Sequence, residues 1–335
     1  MQIKKKIFTN KIILITGGTG SFGQHFIKTV LKNFAPKKVI IFSRDELKQY
    51  EMAEKLRKYK KKLRFFIGDI RDLSRLKTAM KDVDIVVHAA ALKQVETAEY
   101  NPFEVVKTNV MGTQNVIDAI YSSDVKIAIA LSTDKAAAPI NLYGATKLTA
   151  DKLFISANNY IPNKSFSVVR YGNVMMSRGS VIPSFEKQKI NGVINITDKD
   201  MTRFSLTLPE GVEFVIKCLS NMWGGELFVP KIPSYRILDL AKAVAPQCKI
   251  NFIGSRPGEK IHEDLVTNSD SLNTIEFKNY YIILSSTKSY EQTTIKNFIN
   301  NFDGHKGKIC DRNFSYNSLN NKDYLSIKEL KALIK

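Results

Sequence analysis

The chain has 335 residues, 44% hydrophobic and 25% charged, the proportions of a globular protein with room for one large domain and a smaller one. Three scattered cysteines and four histidines without metal-ligand spacing argue against a disulfide framework and a metal site. The net charge of +19 raises the question of nucleic acid or an anionic membrane, but the lysines are dispersed and no nucleic-acid-binding motif is present. We therefore predict no nucleic-acid partner, no membrane partner and, without a signal peptide, a cytoplasmic location.

Short apolar runs alternate with helical patterns over the first half of the chain, as in a parallel sheet covered on both faces. The predicted strands are residues 11–16, 38–43, 63–67, 84–88, 125–132 and 166–171, and the predicted helices are 24–33, 46–59, 105–121 and 143–159. After residue 172 the pattern becomes irregular, with short predicted strands at 193–197, 226–230 and 250–253. The sequence predicts an α/β fold, a Rossmann-type doubly wound parallel sheet with a smaller α/β domain.

A glycine-rich loop follows the first predicted strand and opens the first helix. It reads Thr16-Gly17-Gly18-Thr19-Gly20-Ser21-Phe22-Gly23. Glycines permit a tight turn and a close approach of the backbone to phosphate, and a helix N-terminus favours an anion. The position inside a βαβ unit favours dinucleotide binding over a purely structural turn. The residues expected at the phosphates are Gly17, Thr19, Gly20, Ser21, Phe22 and Gly23.

The second predicted strand ends in Ser43-Arg44-Asp45, which bears on the choice of cofactor. A carboxylate there usually binds the ribose 2′-hydroxyl of NAD, whereas an arginine accommodates the 2′-phosphate of NADP. Arg44, with Lys48 one helical turn further on, favours NADP, while Asp45 leaves NAD open. Asp69, after the third strand, is either a contact of the adenine amine or a turn residue.

Two adjacent segments carry the acid/base groups, Ser132-Thr133-Asp134-Lys135 and Tyr143-Gly144-Ala145-Thr146-Lys147. Tyr143 and Lys147 share a helix face, so Lys147 can lower the phenol pKa and make Tyr143 a base. Asp134 and Lys135 offer a second acid/base pair, which a simple alcohol oxidation does not require. A turn aspartate and a solvated lysine are the structural alternatives, but a cation such as Lys147 near Lys135 favours a catalytic lysine. The segments predict redox chemistry coupled to an elimination.

Over residues 11–263 the chain resembles the extended short-chain dehydrogenase/reductase family. The resemblance lies in the order of four motifs: the glycine loop, His88-Ala89-Ala90-Ala91, Thr133 and the Tyr143/Lys147 pair. Longer strings, such as 43–49, 98–102, 141–147, 170–173 and 256–260, are similar to its subfamily of configuration-inverting UDP-N-acetylglucosamine 4,6-dehydratases, which serve pseudaminic acid biosynthesis. Retaining dehydratases of the family usually carry glutamate where this chain has Lys135. The resemblance thus implies NADP as cofactor, UDP-N-acetylglucosamine (UDP-GlcNAc) as substrate and inversion at C5.

The resemblance also implies roles. Tyr143 takes the proton of the sugar 4-hydroxyl while hydride leaves C4, and Thr133 hydrogen-bonds the same oxygen. Lys135 removes the C5 proton, Asp134 protonates the departing 6-hydroxyl, and the hydride returns to C6. Further cofactor contacts implied by the resemblance are Ser43, Arg44, Asp45, Glu46, Leu47, Lys48, Asp69, Ile70, Ala89, Lys93, Leu131, Ser132, Tyr143, Lys147, Val174, Met175, Met176, Ser177 and Arg178. The implied substrate contacts are Lys93, Asn173, Val181, Thr197, Arg256 and Glu259.

Several residues depart from the subfamily pattern. Met176 replaces a glycine near the nicotinamide, and Ala138 a usual asparagine, while Ser184 and Ser205 stand where aromatic residues are common. The pocket wall is therefore altered although the acid/base set is intact. The alternatives are a 4-epimerase or a retaining dehydratase of the same family, a non-catalytic NADP-binding protein, and nucleic-acid binding driven by charge. An epimerase needs only Tyr143 and Lys147, which leaves Asp134 unexplained.

The loss of regular alternation after residue 172 also predicts the domain organisation. Residues 1–172 are expected to form the NADP-binding Rossmann domain, with elements near 205–230 returning to it. Residues 173–335 are expected to form mainly a substrate-binding domain and a C-terminal tail. Family members are often multimers, so a homo-oligomer, dimer or hexamer, is expected, with the helices 105–121 and 143–159 as the usual dimer-forming pair.

Overall fold

The computed structural model describes residues 1–4, 6–175, 180–285, 292–302 and 304–334. Its strands are β1 Ile12–Thr16, β2 Lys38–Ser43, β3 Leu63–Ile67, β4 Ile85–His88, β5 Ile127–Leu131, β6 Ser165–Val169, β7 Asn173–Val174, β8 Val193–Ile196, β9 Thr202–Leu206, β10 Glu226–Pro230, β11 Ser234–Arg236, β12 Lys249–Phe252, β13 Asp264–Val266, β14 Thr274–Glu276, β15 Tyr280–Leu284, β16 Lys308–Ile309 and β17 Tyr316–Asn317. Its α-helices are α1 Ser21–Asn33, α2 Glu46–Lys55, α3 Leu73–Ala79, α4 Val95–Tyr100, α5 Pro102–Val106, α6 Gly112–Tyr121, α7 Leu142–Ser156, α8 Val181–Lys189, α9 Leu208–Asn221, α10 Ile237–Val244, α11 Gln292–Asn301 and α12 Ile327–Ile334.

A large sheet has the strand order β3-β2-β1-β4-β5-β6-β10, in which every neighbouring pair is parallel. Strands β15, β14 and β16 extend the sheet beyond β10 with antiparallel pairings. The order of the first six strands is that of a doubly wound Rossmann sheet. The predicted fold class is therefore confirmed, and the late segment Glu226–Pro230 lies in the large sheet.

The central strands are buried on both faces, which explains their continuous apolar runs. Ile13, Leu14 and Ile15 of β1 are all fully buried, and α1 covers the sheet with its apolar stripe around Phe26 and Val30. A second apolar cluster joins α8, α10 and α12 with β8. The chain thus packs a smaller core beside the large sheet, while the domain boundaries given above stay a prediction.

The helices differ from the predicted segments in several places. The helix expected over 46–59 ends at Lys55, and the lysine-rich run Arg57–Lys62 forms a 3₁₀ turn because like charges three and four apart disfavour an α-helix. The helix expected over 105–121 begins earlier, at Pro102, and contains a π turn at Lys107–Met111. The short helices α3 and α4 were not predicted. Across the described ranges, no helix has both the length and the apolar character to span a bilayer.

The parallel strands bring their carboxyl ends to one edge of the sheet. The loops that leave β1, β2, β4, β5 and β6 at this edge carry the glycine loop, Arg44, Ala89, Thr133 and the approach to Asn173. In open α/β sheets, ligands bind in the crevice at this edge. The fold therefore gathers segments that are far apart in the sequence.

Candidate active site

A cleft with a cavity volume of about 1360 Å³ lies along the carboxyl edge of the sheet and continues toward the smaller core. The predicted residues that line it are Gly17, Thr19, Gly20, Ser21, Phe22, Gly23, Ser43, Arg44, Asp45, Lys48, Asp69, Ile70, Ala89, Lys93, Leu131, Ser132, Thr133, Asp134, Lys135, Tyr143, Lys147, Asn173, Val174, Val181, Thr197, Arg256 and Glu259. Glu46 and Leu47, exposed in the first turn of α2, do not line it, and neither does Met175, which is buried in the second apolar cluster. Met176, Ser177 and Arg178 lie outside the described residues.

The glycine loop is packed too tightly for side chains. Gly17 has a φ of +66°, and a Cβ there would lie 2.9 Å from the backbone nitrogen of Ala90. A Cβ on Gly23 would lie 2.6 Å from Gly18 Cα. Gly20 is the N-cap of α1 and has no side chain to cap the helix, so the N–H groups of the first turn remain for an anion. These features fit the pyrophosphate of a dinucleotide.

At the end of β2 the charged side chains already have partners. Asp45 is the N-cap of α2, accepts a hydrogen bond from the Lys48 backbone N–H (2.9 Å), and forms an ion pair with the Lys48 ammonium. Arg44 lies 3.4 Å from Asp69, with 53% of its side chain exposed. Burial raises the pKa of Asp69, but hydrogen bonds from Arg71 and the charge of Arg44 leave it below its ordinary value. The side chain of Arg44 is thus the most exposed of the four charged groups Arg44, Asp45, Lys48 and Asp69.

The acid/base cluster lies where β5 leads into a 3₁₀ turn at Asp134–Ala136. Thr133 Oγ1 donates to Asp134 Oδ1 (2.9 Å), and Lys135 Nζ donates to the same oxygen (3.2 Å). The first turn of α7 packs directly on this turn, because Gly144 has no Cβ to strike the carbonyl oxygen of Lys135. This contact places Tyr143 beside Thr133 and Asp134 in the cleft.

Tyr143 and Lys147 differ from the expected arrangement. Burial raises the pKa of Tyr143 to about 12, opposed by the charge of Lys135 and a hydrogen bond with Thr133. Lys147 Nζ instead donates to the Leu131 carbonyl oxygen (2.8 Å), and burial lowers its own pKa although Asp151 opposes this. In this arrangement Lys135 is the cation with the largest effect on the pKa of Tyr143, and the expected effect of Lys147 stays a prediction.

Lys135 also has different neighbours from those expected. Its ammonium lies between Asp134 and Glu263, with Glu263 Oε1 at 2.8 Å. Burial lowers the pKa of Lys135, but the two carboxylates outweigh it and leave the pKa above its ordinary value. Two carboxylates thus raise the pKa of Lys135. This corrects the expectation that a neighbouring cation, Lys147, acts on Lys135 and favours its role as a base. Burial raises the pKa of Asp134, as a proton donor requires.

Sequence reasoning missed Glu263 and Arg203. Glu263 is 1% exposed, and its Oε1 also lies 3.7 Å from Arg203 Nε. The two residues are 128 and 68 positions from Lys135 in the numbering, so no local motif links them to it. Two strings that resemble the subfamily lie near them: Met201-Thr202-Arg203-Phe204, which contains Arg203, and residues 256–260, which end three residues before Glu263.

Several buried polar atoms in the cleft lack a hydrogen-bond partner, in the part of the chain that the structure describes. They are Asp134 Oδ2, Glu263 Oε2, Glu259 Oε2, Asn173 Oδ1, Ser180 Oγ and Thr108 Oγ1. Native proteins rarely leave such atoms unsatisfied, so the cleft is suited to a ligand rich in hydroxyl and amide groups.

Two further residues are Arg256, a predicted substrate contact, and Ala138, which departs from the subfamily pattern. Arg256 lies at the rim, where its guanidinium is 2.9 Å from Glu96 and both side chains are more than half exposed. An exposed pair of this kind contributes little energy and leaves Arg256 available to an anion.

Ala138, between the acid/base turn and α7, adopts a φ of +43°, a conformation that asparagine tolerates better than alanine.

The comparisons with known proteins agree with the fold. The sequence profile of the family described as "polysaccharide biosynthesis protein" matches residues 13–285. The UDP-N-acetylglucosamine 4,6-dehydratase (inverting) of Campylobacter jejuni subsp. jejuni (strain 81-176) is 53% identical over 332 residues, 98% of each chain. The crystal structure of Pen from Bacillus thuringiensis is 40% identical and covers 98% of each chain with a TM-score of 0.87. The dTDP-glucose 4,6-dehydratase DesIV of Streptomyces venezuelae, solved with NAD, shares the fold at 20% identity, with a TM-score of 0.66 over 75% of this chain and 86% of DesIV.

Proposed function

The chain belongs to the polysaccharide biosynthesis protein family and, within it, to the inverting UDP-N-acetylglucosamine 4,6-dehydratases, and on this premise we propose its reaction. We propose that it removes water from UDP-GlcNAc across C5 and C6 and inverts C5. The product is a UDP-2-acetamido-2,6-dideoxy-4-keto-L-hexose, a precursor for pseudaminic acid or a related surface glycan. The observation that carries the proposal is the buried Asp134, hydrogen-bonded by Thr133 and Lys135 and facing the same cleft as Tyr143.

Each proton transfer of the proposed reaction is assigned to one residue of the acid/base cluster. Tyr143 takes the proton of the sugar 4-hydroxyl, and Thr133 hydrogen-bonds the same oxygen. Lys135 takes the proton from C5, and Asp134 gives a proton to the departing 6-hydroxyl. When bound, the nicotinamide dinucleotide would accept the C4 hydride and return it to C6. A proton delivered to C5 from the opposite face would then complete the product and invert that centre. Burial of Asp134 supports its part, because a carboxyl group with a raised pKa can donate a proton near neutral pH.

NADP is the cofactor that we propose. The phosphate loop accounts for any dinucleotide, and the choice depends on the end of β2. Asp45 is engaged as a helix cap and by Lys48, whereas Arg44 is more than half exposed. A guanidinium binds a 2′-phosphate through charge-assisted hydrogen bonds. This arrangement supports NADP over NAD.

We assign the substrate contacts in part from the cleft atoms that lack a hydrogen-bond partner. Asn173 and Glu259 supply buried acceptors without partners, and Arg256 supplies a cation at the rim for the diphosphate. Lys93 also lines the cleft, and burial lowers its pKa. Val181 and Thr197 line the cleft beside the smaller core, where we place the sugar.

The decisive experiment is incubation with UDP-GlcNAc and NADP in heavy water, followed by NMR. The expected product is a 4-keto-6-deoxy sugar with deuterium at C5 and the L configuration there. A product with retained configuration would contradict the inverting assignment. A C4 epimer that keeps its 6-hydroxyl would show that Tyr143 and Lys147 alone carry the reaction, as in an epimerase.

We also propose that the chain acts as a homo-oligomer through α5, α6 and α7. Large apolar side chains are exposed in and beside these helices, among them Phe103, Met111 and Tyr121, each more than half exposed. Sedimentation velocity tests this, and a monomer at micromolar concentration would contradict it. The cytoplasmic location stays a prediction.

A further inference from the structure

Glu263 lies beside the acid/base pair without a role in the reaction described above. Its Oε1 accepts a hydrogen bond from Lys135 Nζ (2.8 Å), and Lys135 Nζ lies 3.2 Å from Asp134 Oδ1. The lysine therefore bridges two carboxylates that are each 1% exposed. We propose that Glu263 is a positioning residue whose negative charge sets the free energy of proton transfer between Lys135 and Asp134. This inference rests on the proposed function.

Several elements contribute charges around Glu263. The titratable groups that face it are Lys135 and Asp134 after β5, Arg203 on β9, Tyr235 on β11 and Lys260 on its own segment. Burial opposes ionisation of Glu263, but Lys135 and Arg203 outweigh burial and keep its pKa below the ordinary value. The carboxylate is thus ionised, and it stabilises the ammonium form of Lys135.

The chemistry requires the opposite form of Lys135. Transfer of one proton from Lys135 Nζ to Asp134 Oδ1 leaves a neutral amine and a neutral carboxylic acid. The amine then takes the C5 proton of the 4-keto sugar, the C5–C6 double bond forms, the C6–O bond breaks, and the acid protonates the departing hydroxide to give water. Lys135 ends as ammonium and Asp134 as carboxylate, so the pair regains its starting ionisation. The charge of Glu263 raises the pKa of both groups, but Glu263 contacts Lys135 directly, so its net effect opposes the first transfer. Arg203 weakens that opposition because its positive charge lowers the pKa of Lys135.

The C-terminal segment holds Glu263 in place. The Glu263 N–H donates to Ser318 Oγ (2.9 Å), and the Ser318 N–H donates to the Glu263 carbonyl oxygen (2.8 Å). Ser318 Oγ also lies 2.7 Å from Thr202 Oγ1, next to Arg203. Residues beyond 285, where the family profile ends, thus fix the main chain of the residue that faces Lys135. A role for the C-terminal segment follows from these contacts.

The test is the pH dependence of kcat for the variant Glu263→Gln, with UDP-GlcNAc as substrate. Glutamine keeps the size and a hydrogen-bond acceptor but removes the charge. This lowers the pKa of Lys135, the direct partner of Glu263 (2.8 Å), more than it lowers the pKa of Asp134, which Glu263 affects only through space. The acidic limb of the profile should move to lower pH by about one unit or more, the usual effect of one charge at this distance. KM should stay unchanged. The matched control is Glu276→Gln, the same change at a carboxylate that pairs with Lys231 (2.6 Å) and does not line the cleft. The acidic limb of this control variant should stay at its wild-type pH.

Two further variants keep the test decisive. Glu263→Asp retains the charge and should keep the wild-type limb even if kcat falls. If Glu263→Gln does not fold by circular dichroism, Ser318→Ala replaces it and should move the limb in the same direction by less. A folded Glu263→Gln, or its substitute, with lower kcat but an unmoved limb would overturn the inference and leave Glu263 a structural residue. A wild-type protein that forms no 4-keto-6-deoxy product would contradict the proposed function instead.

Discussion

The carbonyl oxygen of Lys135 and the α-carbon of Gly144 are so close that a Cβ on Gly144 would lie 2.1 Å from that oxygen. The acid/base turn and the helix that carries Tyr143 are therefore in backbone contact. The atom that a side chain would strike is backbone, so it cannot move aside as a flexible side chain would. This contact fixes Tyr143 relative to Asp134.

Gly144→Ala should therefore separate the turn from α7. We expect a loss of about 1–3 kcal/mol in the free energy of unfolding, as for other overpacked sites, and a larger relative loss of kcat. Chemical denaturation and steady-state kinetics on the same preparation measure both. Gly211→Ala is the control, since its Cβ would meet only the Leu206 side chain at 3.1 Å. Equal effects of the two substitutions would contradict the importance of the contact.

Lys135→Ala should stop the elimination without preventing cofactor binding. We expect kcat to fall by roughly 10²–10⁴-fold, the contribution of a positioned acid/base group. NADP affinity, followed by fluorescence titration, should be unchanged. Formation of the 4-keto-6-deoxy product at the wild-type rate would show that Lys135 is not the base. Lys152→Ala, which changes an exposed lysine on the same helix as Tyr143, should leave kcat unchanged.

Arg44→Ala should weaken NADP but not NAD. A charge-assisted hydrogen bond to phosphate is worth about 1.5–3 kcal/mol, so we expect a loss of roughly 10- to 100-fold in NADP affinity. Isothermal titration with both dinucleotides measures the ratio. An equal loss for NAD and NADP would place Arg44 away from the 2′-phosphate. Lys58→Ala, in the exposed basic run after α2, should change neither affinity.

His88 makes stability depend on pH. Its ring is buried, hydrogen-bonded to Thr16 (2.8 Å) and Thr113 (3.0 Å), and burial, with help from Lys147, lowers its pKa from 6.5 to about 3. Below pH 6.5 the His88 ring binds a proton in the unfolded chain but stays neutral in the folded chain. The free energy of unfolding therefore falls by about 1.4 kcal/mol per pH unit as the pH is lowered toward 3. Urea denaturation of His88→Gln should lack this dependence between those limits. His305→Gln, at an exposed position, should retain it.

The local part of the site could be predicted from sequence because the residues are close together in the chain. Thr133, Asp134, Lys135 and Tyr143 fall within eleven consecutive positions, and a strand end followed by a helix brings them to one edge. The glycine loop is local for the same reason. Glu46 and Leu47 follow Asp45 in the sequence but lie outside the cleft, because α2 begins there and turns them toward solvent. Adjacency along a chain therefore does not establish contact with a ligand.

The sequence by itself determined the fold class, the phosphate loop and the chemical groups of the acid/base cluster, since each depends on periodicity or short spacing. Only the tertiary structure decided how Lys135 is ionised. Its ammonium is held by Glu263, which lies 128 positions away and is 1% exposed. The pKa of a group depends on burial and on the nearest charges, and in this protein a late segment of the chain supplies the nearest charge.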